Sequence, residues 1–547
     1  METTRAAAVE SLVDETSMPG AVGAHPADLV TDAARRFGRR VAYTLVAPDG
    51  GCETLSFDEA DRLSDAFAGF LIATLGLKPG NVVAVQLANG LPFPIVVFGA
   101  WKAGLVVSPI NPYYTVTETR RQLLDCDARV LVVDAASVGS IQSECGIPDL
   151  GMIAVHGPGL KFDAAGDQPI HAPSGGKAER CWTLAAALDG EYPAPHVRHP
   201  VALYQYTGGT TGNSKAAIIT AANLAATKSM VSGFFAGHGS PIAGGTALTA
   251  LPLYHVFAFL FGMLVYIDAG TNNVIVRAAA PVSNLRPAFE GFEIDWMAGV
   301  DTLYGGLLGE EWFKASPPRM KFAIAGGAAL RPTVALEWER LVGPLLEGYG
   351  LTETTGIVSC NPPTAARRIG SIGLPVTSSQ VRIVDEAGAE VAPGTSGELL
   401  VRGPQVAAGY LDRANDADAF FGGWFRTGDV VVVDSLGMLT IMDRKKDMIL
   451  VSGFNVYPNE VEAVLATHPD VAEAAVIGIA SERTGEAVRA YVVLRKNTAN
   501  ASELDRHCRL SLAAYKVPKE FVIRPHLPKS PVGKILRAQL RTSAASR

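Results

Sequence analysis

Residues 206–217 read YTGGTTGNSKAA, and this run constrains the chain more tightly than any other. After Tyr206 come Thr207, Gly208, Gly209, Thr210, Thr211 and Gly212, all small or hydroxylated, with closely spaced backbone N–H groups. Glycine lets a backbone approach a ligand closely and turn successive amides into one concavity. Such a nest binds anions, and Lys215 adds a mobile positive charge at its rim. A Walker A loop closes on Gly-Lys-Ser/Thr, whereas Asn213, Ser214, Lys215 and Ala216 follow the last glycine here. The run reads as a phosphate loop of another kind; its plainest alternative is a flexible connection between two strands.

With 547 residues, two or more domains are expected. A hydrophobic share of 48% beside 18% charged residues describes a well-packed globule. The formal net charge of −7 argues against nucleic-acid binding, which wants a basic face. Cysteines 52, 126, 145, 181, 360 and 508 lie far apart, so neither a zinc site nor a disulfide framework is expected, and a reducing cytoplasm is the natural location. The N-terminal residues Glu2, Arg5, Glu10, Asp14 and Glu15 interrupt any apolar run, unlike a secretory signal. Residues 247–267 are almost wholly apolar and long enough to span a bilayer. Pro252 and His255 interrupt them, however, and the nearest basic residues, Lys228 and Arg277, are too remote for a positive flank. The expectation is a buried helix lining an apolar cavity.

Strand-like and helix-like stretches alternate along the first part of the chain, as at 82–89, 93–111 and 129–134, which predicts an α/β fold with parallel sheet. Residues 135–200, richer in Gly, Pro and His, read as irregular surface. From 380 short strands and Gly/Pro turns predict a small β-subdomain, with a hairpin turn at Asp434-Ser435-Leu436-Gly437. Beyond about 445 a second α/β pattern follows: helix 458–467, strands 471–480 and 488–496, helix 502–514, and a short strand near 520.

Several segments carry groups suited to nucleotide chemistry. In LEGYGLTETT (346–355), an aromatic beside glycines can stack on a purine, Thr352 can hold a phosphate oxygen, and Glu353 can hold Mg²⁺ by oxygen ligation. AIAGGAAL (323–330) puts Gly326, Gly327 and Ala328 after a strand, leaving room for a nucleotide face or an acyl carbonyl. Asp429 in WFRTGDV is by default a turn former, and equally a group able to accept two ribose hydroxyls. Lys534 in LPKSPVGKILR is by default a solvated charge.

Taken together, these segments resemble the adenylate-forming superfamily of acyl-CoA synthetases, luciferases and peptide-synthetase adenylation domains. YTGGTTG, LPLYHVFA (251–258), GSIGLPV (370–376) and DRKKDMILVSGFNVYPNEVE (443–462) look most like bacterial long-chain fatty acyl-CoA synthetases. Ser214 and Ala216 depart from the proline and glycine usual in that loop, without removing an amide donor, a threonine or the lysine.

The resemblance implies roles, residue by residue. Thr207, Gly208, Gly209, Thr210, Thr211, Gly212 and Lys215 would hold the ATP phosphates. Gly327, Ala328, Gly348, Tyr349 and Gly350 would flank adenine, with Thr352 at the α-phosphate. Asp429 and Arg444 would meet the ribose, and Glu353 with Thr207 the metal. Lys534 would act as the catalytic cation beside Glu353 and Thr352, bridging carboxylate and α-phosphate. His255, Phe257, Val300, Tyr304 and Gly326 would line the acid site. Ser452 and Gly453 would line the CoA thiol tunnel, and Lys446 would be the hinge.

The resulting expectation is an α/β enzyme with a large N-terminal domain of mixed α/β subdomains plus a β-subdomain (1–442) and a small mobile C-terminal α/β domain (443–547). It would use ATP and Mg²⁺ to convert a medium- or long-chain fatty acid to an acyl-adenylate, then pass the acyl group to CoA. An aryl- or other acid:CoA ligase, an acyl-AMP ligase loading a carrier protein, and a non-catalytic nucleotide binder are the alternatives. The presence of Glu353 and Lys534 opposes the last. Peripheral membrane contact and a homodimer are further expectations.

Overall fold

The computed structural model describes residues 25–160, 181–190, 192, 197–207, 214–452, 454–481, 483–495, 499–529 and 535–545. It is a mixed α/β protein with a large N-terminal and a small C-terminal domain, as the sequence predicts.

Two large sheets form the N-terminal domain. In the seven-stranded sheet the order is Cys181–Thr183, Gly151–Val155, Ala128–Asp134, Val82–Gln86, Val106–Pro109, Val201–Tyr206 and Ala216–Thr220. All pairs are parallel except the last, where Val201–Tyr206 and Ala216–Thr220 run antiparallel. The nine-stranded sheet has a parallel centre of Leu345–Tyr349, Phe322–Ala325, Trp296–Gly299, Thr246–Thr249, Asn272–Val276 and Val41–Val46. Strands buried on both faces read as continuous apolar runs rather than alternating ones, which is why 82–86 and 129–133 were legible.

Helix Pro92–Lys102 is buried at every position. It has proline in its first turn, where a missing N–H costs nothing, and its Trp101 donates to the carbonyl of Ala202 at 3.0 Å. Helix Phe57–Ala73 begins with a capping box: Ser56 Oγ accepts from the Glu59 amide at 3.2 Å, and the Glu59 carboxylate accepts from the Ser56 amide at 2.9 Å.

Two expectations need correction. Residues 135–200 are not irregular throughout. They hold helix Ala135–Glu144, the fully buried strand Gly151–Val155, strand Cys181–Thr183 and helix Leu184–Leu188. Residues 247–267 are not one helix either. They comprise most of strand Thr246–Thr249, a turn, helix Val256–Phe259, a π-helical turn at Leu260–Val265 and the start of Tyr266–Asp268. The wide turn displaces carbonyls from the α ladder, and the Gly262 carbonyl is satisfied by Asn273 Nδ2 at 3.2 Å and Tyr43 Oη at 3.3 Å. The segment is buried as expected, with Phe259 packed edge-on against Phe93 and Trp101. No described helix is long and apolar enough to cross a membrane.

A five-stranded antiparallel sheet follows, built from Gln380–Val384, Gly397–Arg402, Phe420–Phe421, Trp424–Val433 and Leu439–Arg444. The predicted hairpin turn lies between its last two strands, where Asp434 Oδ1 accepts from the amides of Leu436 and Met438. The small C-terminal sheet joins Phe454–Val456, Ile449–Val451, Gly485–Leu494, Val471–Ser481 and Glu520–Ile523. Helices Pro458–Ala466 and Ala501–Ser511 cover it around a separate core that includes Val456, Val461, Leu465, Val476 and Leu504.

Candidate active site

The antiparallel ladder between Val201–Tyr206 and Ala216–Thr220 ends at the pair Tyr206–Ala216. Beyond it the Thr207 amide donates to the Lys215 carbonyl at 2.9 Å, and Ser214 Oγ donates to the Thr207 carbonyl at 2.5 Å. The glycine-rich loop is thus gathered at its base by one backbone bond and one serine side-chain bond. Its interior, with Gly208, Gly209, Thr210, Thr211 and Gly212, lies outside the described residues. Tyr206 donates to Asp125 Oδ2 at 2.6 Å.

A segment absent from the sequence-based assignment, residues 407–411, joins this loop to the Gly-Tyr-Gly-Leu-Thr-Glu motif. Its backbone makes three bonds to the strand after the loop: Ile218 N to Gly409 O, Ala408 N to Ile218 O, and Leu411 N to Ala216 O. On the other side the Ala407 amide donates to the Glu353 carbonyl at 2.8 Å. Tyr410 donates from its hydroxyl to Glu353 Oε1 at 2.5 Å, and Lys215 Nζ lies 5.3 Å from the centroid of its ring. Burial and the adjacent Glu353 charge push the Tyr410 phenol well above its ordinary range. The aromatic after Gly409 was the only sequence signal for this residue, and nothing local connects it to Glu353, 57 positions earlier.

Gly348 and Tyr349 stand at the carboxyl end of strand Leu345–Tyr349, third from one edge of the nine-stranded sheet. Gly350 follows, and only glycine fits there: a Cβ would stand 2.2 Å from the Gly356 carbonyl oxygen. Thr352 and Glu353 sit in the single 3₁₀ turn Thr352–Thr354, both partly exposed. Tyr349 Oη donates to Asp429 Oδ2, and Arg444 Nε lies 2.7 Å from Asp429 Oδ1. Asp429 is 2% exposed, so this aromatic, carboxylate and guanidinium form one compact group. Burial first, and then the Asp429 charge, raise the Tyr349 phenol.

Gly326, Gly327 and Ala328 follow strand Phe322–Ala325. The cavity beside them is narrow and apolar, about 10 Å³, and is lined by Leu251, Pro252, His255, Phe257, Val300 and Gly327. A Cβ on Gly326 would meet the tip of the Phe257 ring at 3.1 Å and the Gly348 carbonyl at 3.3 Å. Gln205 Nε2 donates to the Tyr254 carbonyl at 3.0 Å, tying this wall to the strand before the glycine-rich loop. Tyr304 does not join the group. Its hydroxyl donates to the Ile324 carbonyl at 2.7 Å and its ring packs edge-on against Trp338, which makes it a core residue beneath the strands.

Between the two domains, Lys446 occupies the 3₁₀ turn Lys445–Asp447. The preceding Asp443 is fully buried; it accepts from the amides of Arg444 and Asn459, each at 2.7 Å, and burial pushes its carboxyl up to about 6. Arg537 lies 3.4 Å from Asp447 and 2.7 Å from Glu462, which fastens the last helix to the connection. Ser452 has a left-handed backbone, φ 52°, in the turn between Ile449–Val451 and Phe454–Val456. Gly453 and Lys534 lie outside the described residues.

The AMP-binding enzyme pattern matches residues 30–411, and the AMP-binding enzyme C-terminal domain pattern matches residues 460–534. The chain belongs to the AMP-binding enzyme family, the adenylate-forming superfamily. A long-chain-fatty-acid–CoA ligase of Salmonella typhimurium is 37% identical over 541 residues, covering 94% of each chain. Within the family, the protein is an AMP-forming acid:CoA ligase. Among solved structures, ATP-bound MatB from Rhodopseudomonas palustris superposes with a TM-score of 0.82 at 26% identity, covering 94% of this chain and 98% of that one. O-succinylbenzoate coenzyme A synthetase from Bacillus subtilis, solved with ATP and magnesium ion, gives 0.78 at 26% identity over 94% and 99%.

Proposed function

We propose that the acid activated by this ligase is a medium- or long-chain fatty acid. The observation that carries the reading is the wall formed by Leu251, Pro252, Phe257 and Val300, with His255, beside Gly326 and Gly327, which is mostly apolar and offers an alkyl chain contact. Each methylene buried there contributes about 0.8 kcal/mol. The similarity to a fatty-acid ligase along the whole chain supports the same reading. Phe257 closes the cavity against Gly326, so a long chain requires its ring to swing aside.

The ATP phosphates would lie in the glycine-rich loop, with Lys215 at its rim and adenine along Gly327, Ala328 and Tyr349. Asp429 would accept the ribose hydroxyls while Arg444 holds its other flank. Glu353 supplies one carboxylate, the donor set of a magnesium ion held mostly by substrate phosphates and water. Bound there, such an ion would supply charge neutralisation to the phosphates. Thr352 would orient a phosphate oxygen, and Lys534 would place a cation between the two reacting anions. After pyrophosphate leaves, the small domain would turn about Lys446 and bring Ser452 and Gly453 to the CoA thiol, which displaces AMP.

A second reading, an aryl-acid CoA ligase, is favoured by the compactness of the cavity. A panel of fatty and aromatic acids, followed by CoA-dependent AMP release, separates the two. Fatty acids of eight or more carbons should give the highest kcat/KM. Aromatic acids outperforming all of them would overturn the fatty-acid reading.

A further inference from the structure

We propose that Tyr410 is a positioning residue for the metal–triphosphate site, holding Glu353 and the flank of Lys215 in one arrangement. The inference rests on the reading of Glu353 as the metal-binding carboxylate and of Lys215 as a phosphate-loop cation.

Three observations meet at this side chain. Its hydroxyl donates to Glu353 Oε1 at 2.5 Å, which leaves Oε2 directed by that contact. Its ring lies under Lys215, 5.3 Å from Nζ to centroid, a distance at which a cation is attracted to the aromatic face. Its backbone is pinned from both sides: it bridges Ala217 across the strand ladder, and its amide donates to Asp416 Oδ1 at 2.8 Å. Tyr410 as a whole is 6% exposed, so its ring has little freedom to leave this position.

A glutamate carboxylate can rotate about three side-chain torsions before it meets a metal. A fixed phenol donor removes most of that freedom in advance, and partners of this kind are commonly worth 10- to 100-fold in metal affinity. Phenylalanine would keep the ring against Lys215, so Tyr410→Phe removes only the hydroxyl contact with Glu353.

The test is Mn²⁺ binding to enzyme with ATP, read as free Mn²⁺ by electron paramagnetic resonance, for wild type, Tyr410→Phe, Glu353→Gln and the double variant. Phenylalanine keeps every carbon of the ring, and Glu353 is partly exposed, so water replaces the lost donor and the fold persists. Thermal unfolding checks this directly. The expected result is about tenfold weaker Mn²⁺ binding for Tyr410→Phe at an unchanged melting temperature, with no additional loss when it is added to Glu353→Gln. Wild-type binding by Tyr410→Phe beside a weakened Glu353→Gln overturns the role of Tyr410 alone. Losses that multiply in the double variant show an effect not routed through Glu353 and overturn it too. Wild-type binding by Glu353→Gln removes the metal reading itself, and the positioning role with it. Should Tyr410→Phe unfold early, Tyr410→His, which keeps a ring and a donor, takes its place: retained Mn²⁺ affinity supports the proposal and a tenfold loss contradicts it.

Discussion

Asp429 and Arg444 are held together twice: they are paired across the ladder between Trp424–Val433 and Leu439–Arg444, and their side chains meet at 2.7 Å. Asp429 is almost fully buried, so the guanidinium compensates a charge that solvent cannot. Arg444→Met should destabilise the protein by about 2 kcal/mol, a figure reduced because Arg444 is itself partly exposed. Adding Asp429→Asn should recover part of that loss. Urea midpoints of the single and double variants measure it, and strictly additive losses would contradict the pairing.

Glu347 gives a pH dependence with a definite sign. Burial is the main cause that raises its carboxyl to about 7, opposed by the Gly370 amide that donates to it at 2.6 Å. The folded value lies above the unfolded one of about 4.3, so the native state binds the extra proton between them. Stability linked to this group is therefore present at low pH and lost as pH rises from about 4.3 through 7. Glu347→Gln keeps an acceptor and abolishes the titration. The variant should gain on wild type in urea midpoint between pH 5 and pH 7.5, and a constant difference would refute the assignment.

Gly326 sets the width of the proposed acid site. A Cβ there already presses on Phe257 and the Gly348 carbonyl, so Gly326→Leu should cut kcat/KM for a sixteen-carbon acid by about 100-fold or more, with much less effect on a four-carbon acid. An equal fall for both acids would move the acyl channel elsewhere.

The two half-reactions divide the proposed roles of Lys534 and Lys446. Lys534→Ala should fail to form acyl-AMP from acid and ATP, yet convert supplied acyl-AMP and CoA to thioester. Lys446→Pro, which fixes φ near about −65°, should do the reverse. The two steps assayed separately decide it, and equal impairment of both steps in both variants would count against domain alternation about Lys446.

The sequence was legible where burial writes a continuous apolar run or where function writes a motif. Strands Val82–Gln86 and Ala128–Asp134 and helix Pro458–Ala466 lie within a few residues of their predicted places. Strand Gly151–Val155 was hidden among glycines and prolines although it is wholly buried. At 247–267 uniform apolarity erased the periodicity that separates strand from helix, and a strand followed by an interrupted helix passed for one helix. Within the site, the resemblance assigned Tyr304 to the acid site, but its hydroxyl is spent on the Ile324 carbonyl. Tyr410 and Arg537 went unnoticed because their partners lie 57 and 75 positions away, and such pairing is written only in the fold.

The π-helical turn at Leu260–Val265 has a bearing on this wall. A helix advances about 100° and 1.5 Å per residue, so one surplus residue in the turn acts as a phase offset between the elements it joins. It lets Phe257 face Gly326 while Tyr266, nine positions later, remains sealed in the core. Removing any one residue from the turn would restore an ordinary pitch and turn Phe257 by roughly a quarter of a circle relative to Tyr266. The bore of the proposed acid site is in this sense set by residue count as much as by residue size.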